Sequence, residues 1–296
     1  MYDSIIEHSR TVSQAVQEIK NSLRHLYSDG EVNYIIRIIF EKLMNYSRTD
    51  IIVRHDNVIE SDTGNRIRQI IDELLTGKPI QYIFGEARFY GRDFFVNSHT
   101  LIPRPETEQI IEIIDNDNKD KDLRVLDIGT GSGCIAVTLA RILKFPTIDA
   151  LDISEEALAV AAENASKFKV KINLINADIF NYNPSDTYDI IVSNPPYVCN
   201  DEKMDMNVNV LDFEPHSALF VPNENPLVFY KRITELAKTN LKAGGGIYFE
   251  INPRFANEIE TLLLNAGMEK VKIIEDIHYK LRFASARKPK LKHLFL

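Results

Sequence analysis

The first residues with evident chemistry form a four-residue motif, Asn194-Pro195-Pro196-Tyr197, at the end of a predicted strand. The strand is the apolar, β-branched run 188–193, and the prolines end it because they cannot donate a hydrogen bond to a neighbouring strand. The carboxamide, the rigid backbone and the aromatic ring therefore lie at the carboxyl edge of a sheet, where open α/β sheets bind ligands. Such an edge suits a planar amide or amino group.

A second segment that could take part in ligand binding is the glycine-rich stretch 129–133. It follows another predicted strand and has the spacing Gly-x-Gly-x-Gly. Glycines at alternate positions allow a tight turn and let the backbone approach a ligand. The spacing differs from the dinucleotide-binding Gly-x-Gly-x-x-Gly, and no Gly-Lys-Ser/Thr follows it, so a nucleoside triphosphate is not expected. The candidate cofactor residues at this strand end are Asp127, Gly129, Thr130, Gly131, Ser132 and Gly133.

Two further aspartates end the next two predicted strands. Asp152 stands roughly 20 residues beyond the glycines, where a carboxylate typically accepts hydrogen bonds from a ribose diol. Asp178 could accept from an adenine amino group, with Ile179 or Phe180 against the ring. Each aspartate alone could cap a helix, but acids at three successive strand ends on one rim are hard to ascribe to capping. A ribose, an adenine and no phosphate point to S-adenosyl-L-methionine, with S-adenosyl-L-homocysteine as the product.

The elements that must position these residues alternate between strands and helices from Leu123 onward, which predicts an α/β fold with a doubly wound sheet. The segment 198–224 shows little periodicity, as is typical of a lid or a binding loop. Strands are expected near 124–128, 148–152, 171–175, 188–193, 246–251, 271–275 and 281–286. Helices are expected near 133–144, 154–167, 226–242 and 253–266.

Helical periodicity dominates the chain from Tyr2 to about Leu75 and predicts a small helical bundle. Asp29-Gly30 is expected to form a turn between its first two helices. An aromatic hairpin and a Pro-rich linker follow, in which Arg104 belongs either to a simple linker or to an arm of the ligand pocket. The expected domains are 1–79, which docks a partner or serves as a structural cap, the linker 80–105, and the catalytic domain 106–296.

The composition restricts the class of protein. The 296 residues are 44% hydrophobic and carry a net charge of −8, which argues against affinity gained from nucleic-acid phosphates. Two cysteines, Cys134 and Cys199, predict no disulfide framework. The N-terminus lacks the pattern of a signal peptide, and no apolar run approaches the roughly 20 residues that span a bilayer. We therefore expect a cytoplasmic protein without membrane or direct nucleic-acid partners, monomeric by default, and the histidine spacing predicts no metal site.

Combined, the motifs Asp-Ile-Gly-Thr-Gly-Ser-Gly (127–133), Ile-Pro-Arg-Pro (102–105) and Asn-Pro-Pro-Tyr (194–197) resemble the HemK, or PrmC-like, family of release-factor glutamine methyltransferases. The resemblance implies a seven-stranded class I methyltransferase sheet, Rossmann-like and mostly parallel with the last strand antiparallel. It also implies methyl transfer from S-adenosyl-L-methionine to the glutamine amide nitrogen in the Gly-Gly-Gln loop of a class I peptide-chain release factor, which modulates translation termination. His216 and the stretch 223–226 depart from the family pattern, outside the cofactor motifs.

The resemblance also assigns roles to the candidate residues. The three glycines of 129–133 would lie against the methionine part of the cofactor, Asp152 would hold the ribose, and Asp178 with Ile179 the adenine. The target glutamine would be bound by Asn194, Pro195, Pro196 and Tyr197, with Arg104 contributing to the pocket.

For catalysis we expect the Asn194 side-chain oxygen and the Pro195 carbonyl to accept the two amide hydrogens of the glutamine, while Tyr197 packs on the amide plane. Two alternatives stay open. An adenine-N6 nucleic-acid methyltransferase could use the same edge to hold a flipped base, and a non-catalytic scaffold could bind S-adenosyl-L-methionine without turnover.

Overall fold

The computed structural model describes residues 10–290, apart from the side chains of Asp205 and Val208. The beginning of the predicted helical pattern at Tyr2, and the segment for which no signal peptide is expected, lie outside the described residues. The described chain forms two compact units. One contains the residues through Phe84 together with Val208–Phe213, and the other contains Gly85–Asn207 and the residues from Glu214 onward.

The first unit is a helical bundle, as the periodicity predicts. Residues spaced three and four apart, such as Ile19 and Leu23 or Ile67 and Ile71, pack into one buried cluster. Two short strands, β1 (Arg10–Thr11) and β2 (Val58–Ile59), pair antiparallel. The helices are α1 (Val12–Leu23), α2 (Asp29–Met44), α3 (Arg48–Val53), α4 (Ser61–Leu75) and α5 (Ile80–Phe84).

The predicted turn at Asp29-Gly30 is wrong, because both residues lie in the first turn of α2. The Ser28 hydroxyl accepts a hydrogen bond from the Glu31 N–H at 3.3 Å, and the Glu31 carboxylate accepts one from the Ser28 N–H at 2.9 Å. This reciprocal cap satisfies N–H groups that a helix start leaves unpaired. The cap therefore overrides the Asp-Gly turn signal, and the chain reverses at residues 24–28 instead.

The expected aromatic hairpin is present in the larger unit. Its strands β3 (Glu86–Phe89) and β4 (Arg92–Phe95) pair antiparallel, and residues 80–84 before it are helical. Asn164 fastens the hairpin to the domain, since its carboxamide accepts from the Phe95 N–H at 2.7 Å and donates to the Phe95 carbonyl at 2.9 Å.

The larger unit contains the predicted seven-stranded sheet, in the order β12-β13-β11-β8-β5-β6-β7. The last strand, β13, runs antiparallel to both of its neighbours, and the other pairs are parallel, so the expected α/β methyltransferase fold class is confirmed. The strands are β5 (Arg124–Ile128), β6 (Thr147–Asp152), β7 (Asn173–Asn176), β8 (Tyr188–Ser193), β9 (Val198–Cys199), β10 (Phe220–Val221), β11 (Leu241–Glu250), β12 (Glu269–Glu275) and β13 (Leu281–Arg287).

Helices cover both faces of this sheet. Successive strand residues alternate between two buried clusters, with Val125 and Ile190 in one and Leu126 and Ile191 in the other. The α-helices are α6 (Glu108–Asp117), α7 (Cys134–Ile142), α8 (Glu155–Phe168), α9 (Val208–Phe213, in the first unit), α10 (Val228–Asn240) and α11 (Ala256–Asn265). Short 3₁₀ helices span Pro105–Thr107, Asn200–Asp205, His216–Ala218 and Pro253–Phe255.

The strand pairing brings the candidate residues together at one edge. Ile128 at the end of β5 lies opposite both Leu151 of β6 and Ser193 of β8. The glycine-rich segment and the Asn-Pro-Pro-Tyr motif therefore leave the sheet side by side. The stretch 198–224 is folded into short elements, in which β10 pairs parallel to β9. Among residues 10–290, no helix has the length and apolar character needed to cross a membrane.

Candidate active site

A cavity of about 400 Å³ opens at the carboxyl edge of the sheet, within the larger unit. This volume lies in the range of small-molecule sites. Of the residues that the sequence proposes for the site, Asp127, Gly133 and Tyr197 are not part of its lining. The others line it: Arg104, Gly129, Thr130, Gly131, Ser132, Asp152, Asp178, Ile179, Asn194, Pro195 and Pro196.

Asp152 connects the end of β6 to the glycine-rich segment. Its carboxylate accepts hydrogen bonds from the Gly131 N–H at 2.8 Å and the Ser154 N–H at 3.0 Å. Burial raises the pKa of Asp152, and these hydrogen bonds act in the opposite direction. Each oxygen retains a second lone pair, so Asp152 can hold the loop and still accept hydrogen bonds from a ligand hydroxyl.

Asp127 lies fully buried behind the loop. One oxygen, Oδ2, accepts from the Thr130 hydroxyl at 2.7 Å and from the Ala136 N–H at 3.2 Å. Burial raises the pKa of this carboxyl to about 7. The second oxygen and the buried Ser132 hydroxyl have no hydrogen-bond partner among the described residues. Buried polar atoms of this kind usually have a partner, and because Ser132 lines the cavity, its hydroxyl fits a polar ligand group.

Gly133 serves packing, which explains its absence from the lining. A Cβ built on it would lie 3.0 Å from the Ala161 Cβ of α8, and its φ of +76° is a conformation that other residues rarely adopt. The family resemblance implies that this glycine lies against the methionine part of the cofactor. The structure places it where α7 begins and α8 crosses close by.

The adenine end predicted near Asp178 is largely apolar. Asp178 accepts hydrogen bonds from the Phe180 N–H at 2.9 Å and the Asn181 side chain at 3.2 Å, so it also stabilises its own turn. Phe180 packs against Phe229 with the ring centroids 5.2 Å apart. Phe180 and Ile153 line the cavity with exposed fractions of 42% and 65%, which a planar ligand would reduce.

Sequence reasoning missed two residues of this apolar surface, Ile153 and Phe229. Ile153 follows Asp152 at a strand end, and its position next to the aspartate was a usable signal. Phe229 lies in α10, nearly fifty residues beyond Phe180, and nothing in its local sequence indicates the cavity.

Asn194 borders the glycine-rich loop. Its backbone oxygen lies 3.9 Å from the position that a Cβ on Gly129 would occupy. The Asn194 side chain is half-buried, lines the cavity, and makes no hydrogen bond with the part of the chain that the structure describes. Its carboxamide is therefore available to a ligand, directly beside the predicted cofactor loop.

Arg104 reaches the cavity in the way that the arm hypothesis requires. Its guanidinium lies 2.6 Å from Glu214 Oε1, and Glu214 Oε2 accepts from the Ile102 N–H at 3.1 Å. Glu214 is buried, so this pair fixes the Ile-Pro-Arg-Pro segment. Sequence reasoning gave Glu214 no role, because the two partners are 110 residues apart.

Tyr197 is held next to the cavity-lining residues without being part of the lining itself. Its hydroxyl donates to Glu250 Oε1 at 3.0 Å, and its carbonyl accepts from the Asn252 side chain at 3.1 Å. Its ring packs against the cluster formed by β8, β11 and α10. Burial raises the pKa of Tyr197, so the phenol stays protonated and can donate.

Two other groups with reactive side chains, Cys134 and the cluster of Cys199, Asp201 and Glu202, have contacts that suggest a structural role. Burial raises the pKa of the Cys134 thiol to about 12, so it stays a small apolar group in the core. Ligating atoms of Cys199, Asp201 and Glu202 lie within 4.8 Å of one another. However, Asp201 pairs with Arg254 at 3.0 Å, and Glu202 accepts from the Cys199 N–H at 2.8 Å. The absence of a metal stays a prediction.

Comparisons with known proteins agree with the geometry. Residues 14–85 match the family model "PrmC N-terminal domain", and residues 105–212 match "Methyltransferase small domain". The chain is 41% identical to a release factor glutamine methyltransferase of Bacteroides thetaiotaomicron over 91% of this chain and 98% of that protein. It is also 41% identical to one of Flavobacterium psychrophilum over 87% and 92%, respectively. A solved methyltransferase of Pyrococcus furiosus shares the fold, with a TM-score of 0.51 and 19% identity over 76% of this chain and 98% of that one.

Proposed function

This chain belongs to the release factor glutamine methyltransferases, and from that premise we propose which reaction its cavity performs. The proposed reaction transfers a methyl group from S-adenosyl-L-methionine to the side-chain amide nitrogen of the glutamine in the Gly-Gly-Gln loop of a class I release factor. A translation factor as substrate agrees with the cytoplasmic location expected from the sequence. We also propose that the protein is a monomer, as expected by default from the sequence.

The observation that carries this proposal is that the two motifs line one cavity. Asn194 and Pro195 at one strand end and the glycine-rich loop at the neighbouring strand end both belong to its lining, so an amide-binding edge would face the cofactor loop. A transfer reaction needs its two reactants side by side and aligned, and such proximity can contribute roughly 7–11 kcal/mol. The arrangement therefore suits a group transfer better than binding of one ligand.

The residues of the cofactor half fit S-adenosyl-L-methionine. Asp152 would accept hydrogen bonds from the ribose hydroxyls, while Ile153, Phe180 and Ile179 would contact the adenine. The unpartnered Ser132 hydroxyl, which lines the cavity, would supply a polar position near the methionine part, and Asp127 would act from behind the loop through Thr130. When bound, this cofactor supplies an electrophilic methyl group on a sulfonium and leaves as S-adenosyl-L-homocysteine.

The residues of the substrate half would orient a poor nucleophile. The lone pair of an amide nitrogen is delocalised into the carbonyl, so orientation has to favour its partial pyramidalisation. The Asn194 side-chain oxygen and the Pro195 carbonyl would accept the two amide hydrogens and direct the nitrogen toward the cofactor half. Since Asn194 makes no hydrogen bond within the described chain, binding the substrate amide breaks no existing contact.

No dedicated base is required after transfer. The acids lining the cavity, Asp152 and Asp178, already accept backbone N–H groups. The N-methylated amide is acidic enough to lose its extra proton to water. The apolar surface around Ile153 and Phe229 would exclude bulk solvent before transfer, which strengthens the polar interactions that remain.

A labelling experiment tests the proposal. The protein is incubated in parallel with methyl-labelled S-adenosyl-L-methionine and a class I release factor, duplex DNA, single-stranded DNA or RNA. We expect label on the release factor alone, and mass spectrometry should place the added methyl on the glutamine of the Gly-Gly-Gln peptide. A release factor whose glutamine is replaced by Ala is the matched control. Label only on nucleic acid would support an adenine methyltransferase, and no label would support the scaffold alternative.

A further inference from the structure

A buried carboxylate lies directly behind the Asn-Pro-Pro-Tyr motif. Glu250, at the carboxyl end of β11, is 2% exposed and accepts hydrogen bonds from two hydroxyl groups. Thr107 Oγ1 donates at 2.6 Å and the Tyr197 hydroxyl donates at 3.0 Å. These donors are 143 and 53 residues away in sequence. One side chain thus joins three segments of the chain.

The joined segments are those that carry the substrate half of the cavity. Thr107 ends the 3₁₀ helix that directly follows the extended Arg104, and Tyr197 ends the motif that presents Asn194 and Pro195. Because proline residues limit backbone adjustment, fixing the last residue of each segment restricts the direction of the preceding ones.

We propose that Glu250 is a positioning residue for methyl transfer, and that it acts by holding the Tyr197 and Thr107 hydroxyls so that Asn194 faces the cofactor. This inference rests on the proposed function. It also assigns Tyr197 a role that differs from packing on the substrate amide. The partly buried ring packs against the core, and the hydroxyl is the group that serves the reaction.

Glu250 lies among two hydroxyl donors and near the positive charge of Arg282, and burial is the largest influence on its pKa. Burial raises the pKa of Glu250, whereas the two hydroxyl donors and the positive charge of Arg282 lower it. Arg282 is held by Asp276, with Nε 3.2 Å from Oδ2. A carboxylate can accept both hydroxyls, while an amide of equal size offers one acceptor oxygen and presents its NH₂ group to the other donor. Replacing the carboxylate by an amide therefore disturbs one of the two contacts without opening a cavity.

The two roles of Tyr197 predict opposite results for Tyr197→Phe. A ring that packs on the substrate is retained in phenylalanine, so the packing role predicts near-normal turnover. The positioning role predicts a loss, because the hydrogen bond to Glu250 disappears. We expect kcat to fall roughly ten- to hundredfold, the scale of a 1 Å misplacement at a reacting group.

The experiment compares Tyr197→Phe, Glu250→Gln and the double variant, with Tyr248→Phe as control. Tyr248 lies on the same strand as Glu250 and its hydroxyl donates to another carboxylate, Asp117, at 3.3 Å, away from the cavity. Release-factor kcat and KM, the S-adenosyl-L-homocysteine Kd and the Tm are measured for each. We expect kcat to fall in all variants but the control, while the S-adenosyl-L-homocysteine Kd stays within about threefold of wild type. The kcat of the double variant should equal that of the less active single variant, as for residues in one network.

Several results would overturn the inference. Normal kcat in Tyr197→Phe, additive losses in the double variant, or an equal kcat loss in Tyr248→Phe would each do so, the last because it would indicate general destabilisation. If wild-type protein methylates the release factor in the same assay, such a result leaves the proposed function intact. Failure of the wild-type protein to methylate it overturns the proposed function and this inference together.

Discussion

The two halves of the cavity are built in different ways. The cofactor half consists of successive strand ends, and its key contact joins Asp152 to Gly131, 21 residues apart. The substrate half depends on side chains from distant segments, such as Arg104 with Glu214 and Tyr197 with Glu250. In the first half carboxylates accept from residues of neighbouring strand ends, and in the second half they accept from residues more than 50 positions away in the sequence.

This difference implies a separation of effects. Changes in the cofactor half should act mainly on cofactor affinity, because they alter a loop that the parallel sheet already positions. Changes in the substrate half should act mainly on turnover, because they alter the direction of a nucleophile. A variant in one half that changes both cofactor affinity and turnover would contradict this separation. A variant that changes only the expected quantity would support it.

The largest effect is expected for Asn194→Ala. Losing a preorganised hydrogen-bonding group at the reacting atoms typically costs about 10²–10³-fold in kcat. The S-adenosyl-L-homocysteine Kd, measured by calorimetry, should stay within about threefold of wild type because the glycine loop is held by Asp152. Near-normal turnover in this variant would refute the proposed role of the carboxamide.

Asp152→Asn tests the opposite half. The amide cannot accept from both the Gly131 and Ser154 N–H groups and also serve a ribose, so we expect the cofactor Kd to rise roughly tenfold to hundredfold. At saturating cofactor, kcat should recover to within a few-fold of wild type. A kcat loss that saturation does not restore would show that the two halves are coupled.

Two alanine substitutions in the glycine segment divide the cofactor half further. Gly133→Ala places a Cβ 3.0 Å from Ala161, so the free energy of unfolding should fall by about 1–3 kcal/mol. Gly131→Ala shares the strain of a positive φ (+54°) but meets no atom within 4 Å, so its stability loss should be smaller than that of Gly133→Ala, while its position in the cavity lining should weaken cofactor binding. Chemical denaturation and cofactor titration of both variants measure this contrast, and equal stability losses would contradict it.

The smallest expected effect concerns pH. The pKa of Asp127 is raised to about 7 by burial, against 3.8 as its ordinary value. Asp127 binds its proton more tightly in the folded protein than in the unfolded chain. The stability that this proton contributes at low pH is therefore lost as the pH rises through about 7. Between pH 6 and 8 this group alone should lower the free energy of unfolding by about 1 kcal/mol. Denaturation at both pH values should show a smaller decrease for Asp127→Asn, and an equal decrease in both proteins would exclude this origin.

The fold and the meeting of the strand-end residues at one edge were predictable because their signals are local. Strand runs such as 188–193 and glycines beside an aspartate depend on neighbouring residues only, and parallel strands bring their carboxyl ends to one edge. The same reasoning erred at Asp29-Gly30, where a turn signal met a stronger helix cap. It also could not separate Gly133, which packs against α8, from glycines that line the cavity.

The amino-acid sequence by itself determined the order of the strands along the chain, the glycine-rich loop, the acids at the strand ends and the Asn-Pro-Pro-Tyr motif. Only the tertiary structure decided that Glu214 fixes the Ile-Pro-Arg-Pro segment, that Glu250 accepts the Tyr197 hydroxyl, and that the Tyr197 ring packs against the core. The physical reason is that a buried carboxylate is stable only with donors close by, and the chain supplies those donors from segments 53 to 143 residues away.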